Sequence, residues 1–328
     1  EVLTGFKPSR FSLVRLRQEN HGPAVARNHG MAASIGKWVL FTGDDIEPAP
    51  DLLANHLEAH RALEDERWAV LGNISWARDL AISSTMRYVD GVGAQQFSYY
   101  YMKDGNEYDY RHFYTSNVSV SRRFLGGEFG GFSDAFSAAA FEDAEFSYRL
   151  CRRGMRIVYR SCARAWHHHP YDAATFLQRQ VACGEMAAVL IQKWPWTRRI
   201  LGAHQVTRSR VRERMTFGGR RRKFREAELQ LDVLEKQVVD LALHHETPAT
   251  SAVEPLLDGL FRYGYLKGLA NATLSEASAL RLSAYWFTNL VGDSIARFRT
   301  ELERRDMDKE ADSFGEILSL TPEQRTGS

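Results

Sequence analysis

Cysteine is scarce in this chain. Cys151, Cys162 and Cys183 are the only three in 328 residues, and none pairs with another at metal-binding spacing. That excludes a disulfide framework and points to a reducing compartment. No apolar run reaches the roughly 18–20 residues that span a bilayer, so no membrane-spanning helix is expected within these residues. No signal peptide is legible, so the expected setting is cytoplasmic, with room for peripheral contact on the inner face of a membrane. Charge of one sign is missing too. The net charge is +2, so the molecule as a whole is not a polyelectrolyte and no nucleic-acid partner is expected. No internal repeat is visible. What remains is an apolar fraction of 44%, enough for one large or two ordinary domains with a real core.

The first two hundred residues alternate strand and helix signals. Phe11–Arg17 is dense in apolar and β-branched residues and reads as a strand. Pro23, at a first helical position, opens a helix to about Ser34 that Gly36 closes. Trp38–Thr42 is a short continuous apolar run, the pattern of a strand buried on both faces. Asp51 caps a helix to about Glu64, and Trp68–Leu71 is the next strand. An aromatic stretch follows, Phe97-Ser-Tyr99-Tyr100-Tyr101, which suits either core packing or a pocket wall. Tyr114–Val120 is strand-like, Gly126-Gly127 and Gly130-Gly131 mark a loop, and Glu142–Arg153 suits a helix stopped by Gly154. Arg156–Tyr159 and Ala163–Trp166 read as two short strands. The alternation argues for a mostly parallel α/β sheet flanked by helices.

The character changes near residue 200. Ala173 to about Lys193 is helical and is stopped by Trp194-Pro195-Trp196. A basic segment, 198–225, includes Arg220-Arg221-Arg222-Lys223. It suits a solvated, salt-bridged surface, and with Trp194 and Trp196 beside it, peripheral membrane contact through 194–225 is the other expectation. Ala227, Leu231, Leu234, Val238 and Leu241 recur at helical spacing. Further helices are expected over roughly Pro255–Leu269 and Ser275–Asp306. The division is therefore an α/β domain over 1–197 and an all-helical region over 198–328.

Three polar clusters carry chemistry. Asp44-Asp45 follows a buried strand, and open α/β sheets gather ligands beyond the carboxyl ends of their strands. Carboxylates there can hold Mg²⁺ or Mn²⁺ against a diphosphate; taken alone, the pair also suits a solvated turn before Pro48. Glu142-Asp143 starts a helix. Adjacent carboxylates there answer the helix dipole, or provide a base that takes a proton from a hydroxyl. His167-His168-His169 ends a short strand, and because side chains alternate, only one or two of the three can face inward.

Jointly these features resemble the family 2 inverting glycosyltransferases of the GT-A (Rossmann-like) fold, over about residues 11–190. The carriers are Arg17-Gln-Glu-Asn20-His-Gly22-Pro-Ala-Val-Ala-Arg27-Asn28-His-Gly30 and Gly36-Lys-Trp-Val-Leu-Phe-Thr-Gly-Asp44-Asp45-Ile-Glu-Pro48. They continue with Ser116-Asn117-Val-Ser-Val-Ser-Arg122, Gly130-Gly131-Phe132, Phe141-Glu142-Asp143-Ala-Glu145 and Trp166-His167.

The resemblance implies transfer of a hexosyl-type sugar from a nucleotide-diphosphate sugar to a hydroxyl of a glycan, lipid-linked or protein acceptor, with inversion. It suggests polysaccharide and cell-envelope synthesis. It puts Asp143 in the place of the catalytic base with Glu142 beside it. It puts Asp45 and Asp44 in the metal motif, His167 at a metal or diphosphate contact with His169 as the alternative, and Arg27, Asn28 and Asn117 around the donor. Mn²⁺ or Mg²⁺ is the implied cofactor.

Two departures stand out. Gly43 occupies the place of the first Asp of an Asp-x-Asp motif. The family's opening strand, helix and second strand ending in Asp-Asp-Gly-Ser are not seen before Phe11, so the 1–197 domain is expected to be N-terminally incomplete. The competing expectation is a non-catalytic or fragmentary module of the same kind that acts through its helical C-terminal region. A metal-dependent nucleotidyltransferase would explain the Asp pair, but not the Glu-Asp helix and the histidines.

Overall fold

A computed structural model describes residues 6–91, 97–126, 128, 130–247 and 249–304, and within 210–226 the backbone alone. In chain order its main elements are α1 (Pro23–Ala33), β1 (Trp38–Thr42), β2 (Ile46–Pro48), α2 (Leu52–Leu63), β3 (Trp68–Trp76), α3 (Ser84–Asp90), β4 (Glu107–Tyr108), β5 (Asn117–Ser121), α4 (Glu142–Cys151) and β6 (Arg156–His167). Then come α5 (Ala173–Lys193), α6 (Ala203–His244), α7 (Glu254–Thr273), α8 (Glu276–Trp286) and, after a π-helical turn at Phe287–Val291, α9 (Gly292–Arg304). The chain forms two compact units. One holds the residues up to Ala77 with Met102–His168; the other holds Arg78–Tyr101 and the residues from His169 on.

The first unit is built on a sheet of order β1-β5-β3-β6-β2, with β4 also paired to β6. The sheet is mixed, which corrects the expectation of a mostly parallel one. Among the described pairs only β3–β6 is parallel; β5 runs antiparallel to both β1 and β3, and β2 and β4 run antiparallel to β6. The alternation of strand and helix was nevertheless informative. β1 and β3 point the same way, as a strand-helix-strand unit requires, and β6 joins them. What periodicity does not reveal is that β5 inserts between β1 and β3 in the opposite sense. The carboxyl ends of β1, β3 and β6 and the amino end of β5 therefore share one edge of the sheet.

Burial follows position in that order. Every residue of interior strand β5 is buried, whereas edge strand β1 is only half-buried, not buried on both faces as its apolar run suggested. Val70 and Leu71 of β3, Val118 and Val120 of β5 and Ile157 of β6 are fully buried. Burial of side chains of this size contributes about 1.5–3 kcal/mol each. Helix α4 turns Phe146 and Leu150, four residues apart, into the core, where Phe146 meets Phe132 with ring centroids 4.1 Å apart.

Two strand expectations change. Phe11–Arg17 forms no ladder, and Phe11, Val14 and Leu16 are exposed, because apolar content makes a strand only where a neighbour supplies hydrogen bonds. The two short strands expected over 156–166 are one long strand with a bulge. Pairing jumps from Gly72–Arg160 to Asn73–Arg164. Asn117 fills the irregularity, its amide donating to Ala163 O at 2.9 Å and Asn73 O at 3.2 Å. Gly72 permits this, since a Cβ there would collide with the Asn117 amide and the Ala163 carbonyl.

The second unit is helical. Helices α5 and α7 cross closely because three glycines remove side chains from the contact. A Cβ on Gly184 or Gly268 would collide with the facing backbone, and one on Gly264 would come 2.6 Å from Leu177 Cδ1. The stripe Ala227, Leu231, Leu234, Val238 and Leu241 on α6 is buried, as its spacing predicts. Tyr88 of α3 donates to Asp258 of α7 at 2.9 Å. Tyr99–Tyr101 forms a single 3₁₀ turn with Tyr100 and Tyr101 exposed. No described helix is long and apolar enough to cross a membrane. Gly127, residues 305–306 of the expected last helix and the side chains of Arg220–Lys223 lie outside the described residues.

Candidate active site

Glu142 and Asp143 open α4, and the residue before them, Phe141, takes a left-handed backbone conformation with φ of 66°. Only a few per cent of non-glycine residues do so. Glu142 is buried, its side chain 4% exposed, whereas that of Asp143 is 25% exposed. Arg27 of α1 spans both: its Nη1 donates to Glu142 Oε1 at 2.7 Å and lies 3.3 Å from Asp143 Oδ1. Thr115, just before β5, donates its backbone N–H and its hydroxyl to Asp143 Oδ2 at 3.0 and 2.8 Å. Burial raises the pKa of Glu142 and the neighbouring Asp143 charge raises it further, while Arg27 opposes both. Asp143 is the member that both meets solvent and is oriented by donors.

The loop after β5 is pinned beside this pair. Asn28 imitates a backbone ladder, donating to Phe132 O and accepting from Phe132 N–H, both at 2.8 Å. Gly131 leaves room for that clamp, because a Cβ would collide with Asn28 Oδ1. Arg149 donates to Gly131 O at 2.6 Å while it pairs with buried Glu145 at 3.0 Å. The Arg27 guanidinium sits 5.6 Å from the Phe132 ring centroid. Both Arg27 and Asn28, expected near a donor nucleotide, are thus seen engaging α4 and its preceding loop.

A second cluster lies where β2 pairs with β6. Asp45 Oδ2 is 3.1 Å from His167 Nε2, and the His167 ring stacks on Trp76 at 5.5 Å between centroids. One residue on, the alternation reverses: His168 Nε2 meets Glu47 Oε2 at 2.6 Å, and the His168 backbone N–H donates to Asp45 O at 2.8 Å. Gly43 belongs to this geometry, since a Cβ there would lie 2.5 Å from Asp45 Oδ1. Asp44 is exposed. His169 belongs to the second unit, where its ring is 4.8 Å from that of Tyr171.

A carboxylate and an imidazole already 3.1 Å apart suit a divalent cation in donor chemistry. Among the described residues no group of three or more His, Cys, Asp or Glu side chains is arranged to hold a metal. The protein would supply two ligands and phosphate oxygens of a substrate the others, which is how Mg²⁺ and Mn²⁺ often bind at phosphate-transfer sites.

Asn117 is 1% exposed. Beyond its two donated bonds, its Oδ1 is 2.9 Å from His56 Nε2. His56 Nδ1 and His60 Nε2 each lie 2.8 Å from Ser119 Oγ, and His60 stacks on Trp38 at 3.7 Å. Burial lowers the pKa of His56, and burial, then His56 and Lys37, lowers that of His60 to about 4. Spacing of four on α2 was the available sign that these two histidines act together. Thr115 and Trp76 carried no such sign, because their roles depend on which strand ends meet.

A mixed sheet that carries an Asp-His pair where β2 meets β6 and packs beside a clamped Glu-Asp helix start defines a domain of the α/β class. Residues 1–125 match the family model described as Glycosyl transferase family 2, so this part of the chain is similar to the family 2 glycosyltransferases. That match supports glycosyl transfer from a nucleotide-sugar donor in general, on a GT-A α/β fold. The match spans the Arg27-Asn28, Asp44-Asp45 and Asn117 segments and ends before Glu142. Comparison with curated proteins gave no match.

Proposed function

We propose that the chain transfers a hexosyl-type sugar, with inversion, from a nucleotide-diphosphate donor to an acceptor hydroxyl, and that Asp143 is the base. The observation that carries this is the clamp on Asp143: Thr115 holds one carboxylate oxygen, Arg27 approaches the other, which is buried, and a quarter of the side chain as a whole is exposed. Asp143 takes the hydroxyl proton as the oxygen attacks the anomeric carbon. The bond to the diphosphate breaks from the opposite face, and its electron pair leaves on the phosphate oxygen. Glu142, tied to Arg27, orients the pair.

Asp45 and His167 would hold Mn²⁺ or Mg²⁺, with Asp44 alongside, and the cation would offset charge on the departing diphosphate. An imidazole nitrogen suits Mn²⁺ better than Mg²⁺, which prefers oxygen throughout. Asn28 and Asn117 serve the donor side by holding the Gly131-Phe132 loop and the start of β5 in place. A glycan, lipid-linked or protein hydroxyl in envelope polysaccharide assembly is the acceptor class consistent with this reading.

The test is turnover of a panel of nucleoside-diphosphate sugars with Mn²⁺ or Mg²⁺ by wild type and Asp143→Asn. A general base contributes about 10²–10⁴-fold, and a loss of that size is expected. Unchanged turnover in the variant removes Asp143 as the base. Absence of both donor binding and turnover in the wild type favours a non-catalytic module.

A further inference from the structure

The corner between α5 and α6 in the helical unit has no part in the proposed reaction. Pro195–Arg198 forms a 3₁₀ turn after α5. Thr197 is buried, and its hydroxyl and N–H both donate to Trp194 O, at 2.7 and 2.9 Å. Leu201 N–H donates back to Thr197 O at 2.9 Å, and the hydroxyl of Tyr265, on α7, donates to Leu201 O at 2.9 Å. The corner is thus bonded within itself and to a neighbouring helix, so its outward side chains are presented on a firm base.

Those outward side chains are unusual for a surface facing water. Trp196 is 46% exposed and Ile200 66% exposed. They are four residues apart on the same corner, and both stand exposed on it. Exposed Lys193, Arg198 and Arg199 flank them. No acidic residue occurs between Glu185 and Glu213, and the adjoining end of α7, Leu266–Thr273, carries one charge, Lys267, which Glu235 pairs at 2.7 Å.

A large aromatic and a branched aliphatic side chain on a one-signed basic corner match the boundary of a bilayer with an anionic surface. Indole favours the headgroup level, and cations favour the lipid phosphates. A single-stranded nucleic acid would call for a row of stacking aromatics, and the corner exposes one.

We propose that this corner docks the chain onto an anionic lipid bilayer, with Trp196 and Ile200 entering the headgroup–acyl boundary and Lys193, Arg198 and Arg199 meeting lipid phosphates. This attachment lies on the membrane and crosses none of it. It is independent of which sugar is transferred.

The experiment is flotation of the purified full chain with vesicles of phosphatidylcholine alone and of phosphatidylcholine mixed equally with phosphatidylglycerol. Binding to the mixed vesicles only, weakened by high salt, is expected. Trp196→Ser with Ile200→Ser is expected to lower that binding at least about ten-fold, with unchanged circular dichroism, since both side chains stand at the surface. Lipids brominated along the acyl chain are expected to quench a share of tryptophan emission that disappears in Trp196→Phe.

The basic side chains of 210–226 remain in the double variant, so undiminished flotation by it overturns the proposal. So does failure of the wild type to float. Self-association that the double variant abolishes, without vesicle binding, assigns the corner to a second copy of the chain instead.

Discussion

Thr115 donates two hydrogen bonds, from its backbone N–H and its hydroxyl, to one carboxylate oxygen of Asp143, at 3.0 and 2.8 Å. The two residues come from different elements, the lead-in to β5 and the start of α4. Their contact fixes which way the other oxygen of Asp143 points. Thr115→Val keeps the N–H bond and the side-chain shape. It is expected to lower kcat about ten-fold with little change in KM, and Thr115→Ser to restore it. Equal kcat in Thr115→Val and wild type would show that the hydroxyl orients nothing.

Glu142 and Asp143 are expected to separate under substitution. Glu142 is the buried member, and burial together with the Asp143 charge raises its pKa above the ordinary carboxylate value. Glu142→Gln is therefore expected to keep activity within about ten-fold of wild type, where Asp143→Asn loses 10²-fold or more. Stability carries the matching sign. A carboxyl whose folded pKa is raised binds its proton more tightly in the native state, so its contribution is greatest below its unfolded pKa and falls as pH rises above about 4.5. Urea titrations from pH 5 to 8 should show a shallower decline in Glu142→Gln.

His60 gives the opposite slope. Its folded pKa, about 4, lies below its unfolded value of 6.5, so between those two values the unfolded chain binds the extra proton. Its contribution to stability is present above pH 6.5 and is lost as pH falls toward 4; His56, also lowered by burial, acts in the same direction. The urea midpoint of the wild type is expected to drop between pH 7 and 5. His60→Phe, which keeps a ring against Trp38, is expected to drop less; equal drops would refute the assignment.

Metal dependence tests the Asp45–His167 pair. Asp45→Asn and His167→Gln are each expected to raise the Mn²⁺ concentration needed for half-maximal activity by about ten-fold or more, as loss of one ligand of a small set does. Calorimetry of Mn²⁺ with a nucleoside diphosphate reads the same change without turnover. Heats identical to wild type in both variants would leave the pair with a structural role.

The α5–α7 crossing predicts a stability effect remote from the chemistry. Gly268 faces the Val181 carbonyl so closely that a Cβ must displace one helix. Gly268→Val is expected to cost about 1–3 kcal/mol or more. A thermal midpoint equal to wild type would mean that the helices separate freely.

Local properties of the sequence determined much of the molecule. α5 ran as predicted from Ala173 to Lys193, and the apolar spacing on α6 and the Phe146–Leu150 pair on α4 are buried as the spacing requires. Each follows from side chains three or four residues apart on one chain. The polar clusters were also legible, as was the family that residues 1–125 match.

Tertiary structure decided the rest, because hydrogen-bonded neighbours in a sheet are distant in sequence. Only folding shows that β5 enters antiparallel between β1 and β3, and that Phe11–Arg17 finds no ladder. The Asn117 amide is committed to a bulge in β6, and Arg27 crosses 115 residues to reach Glu142. Asp143 was recognisable as a carboxylate at a helix start. Its orientation and its share of solvent come from Thr115, Arg27 and the burial of Glu142, which no local pattern encodes.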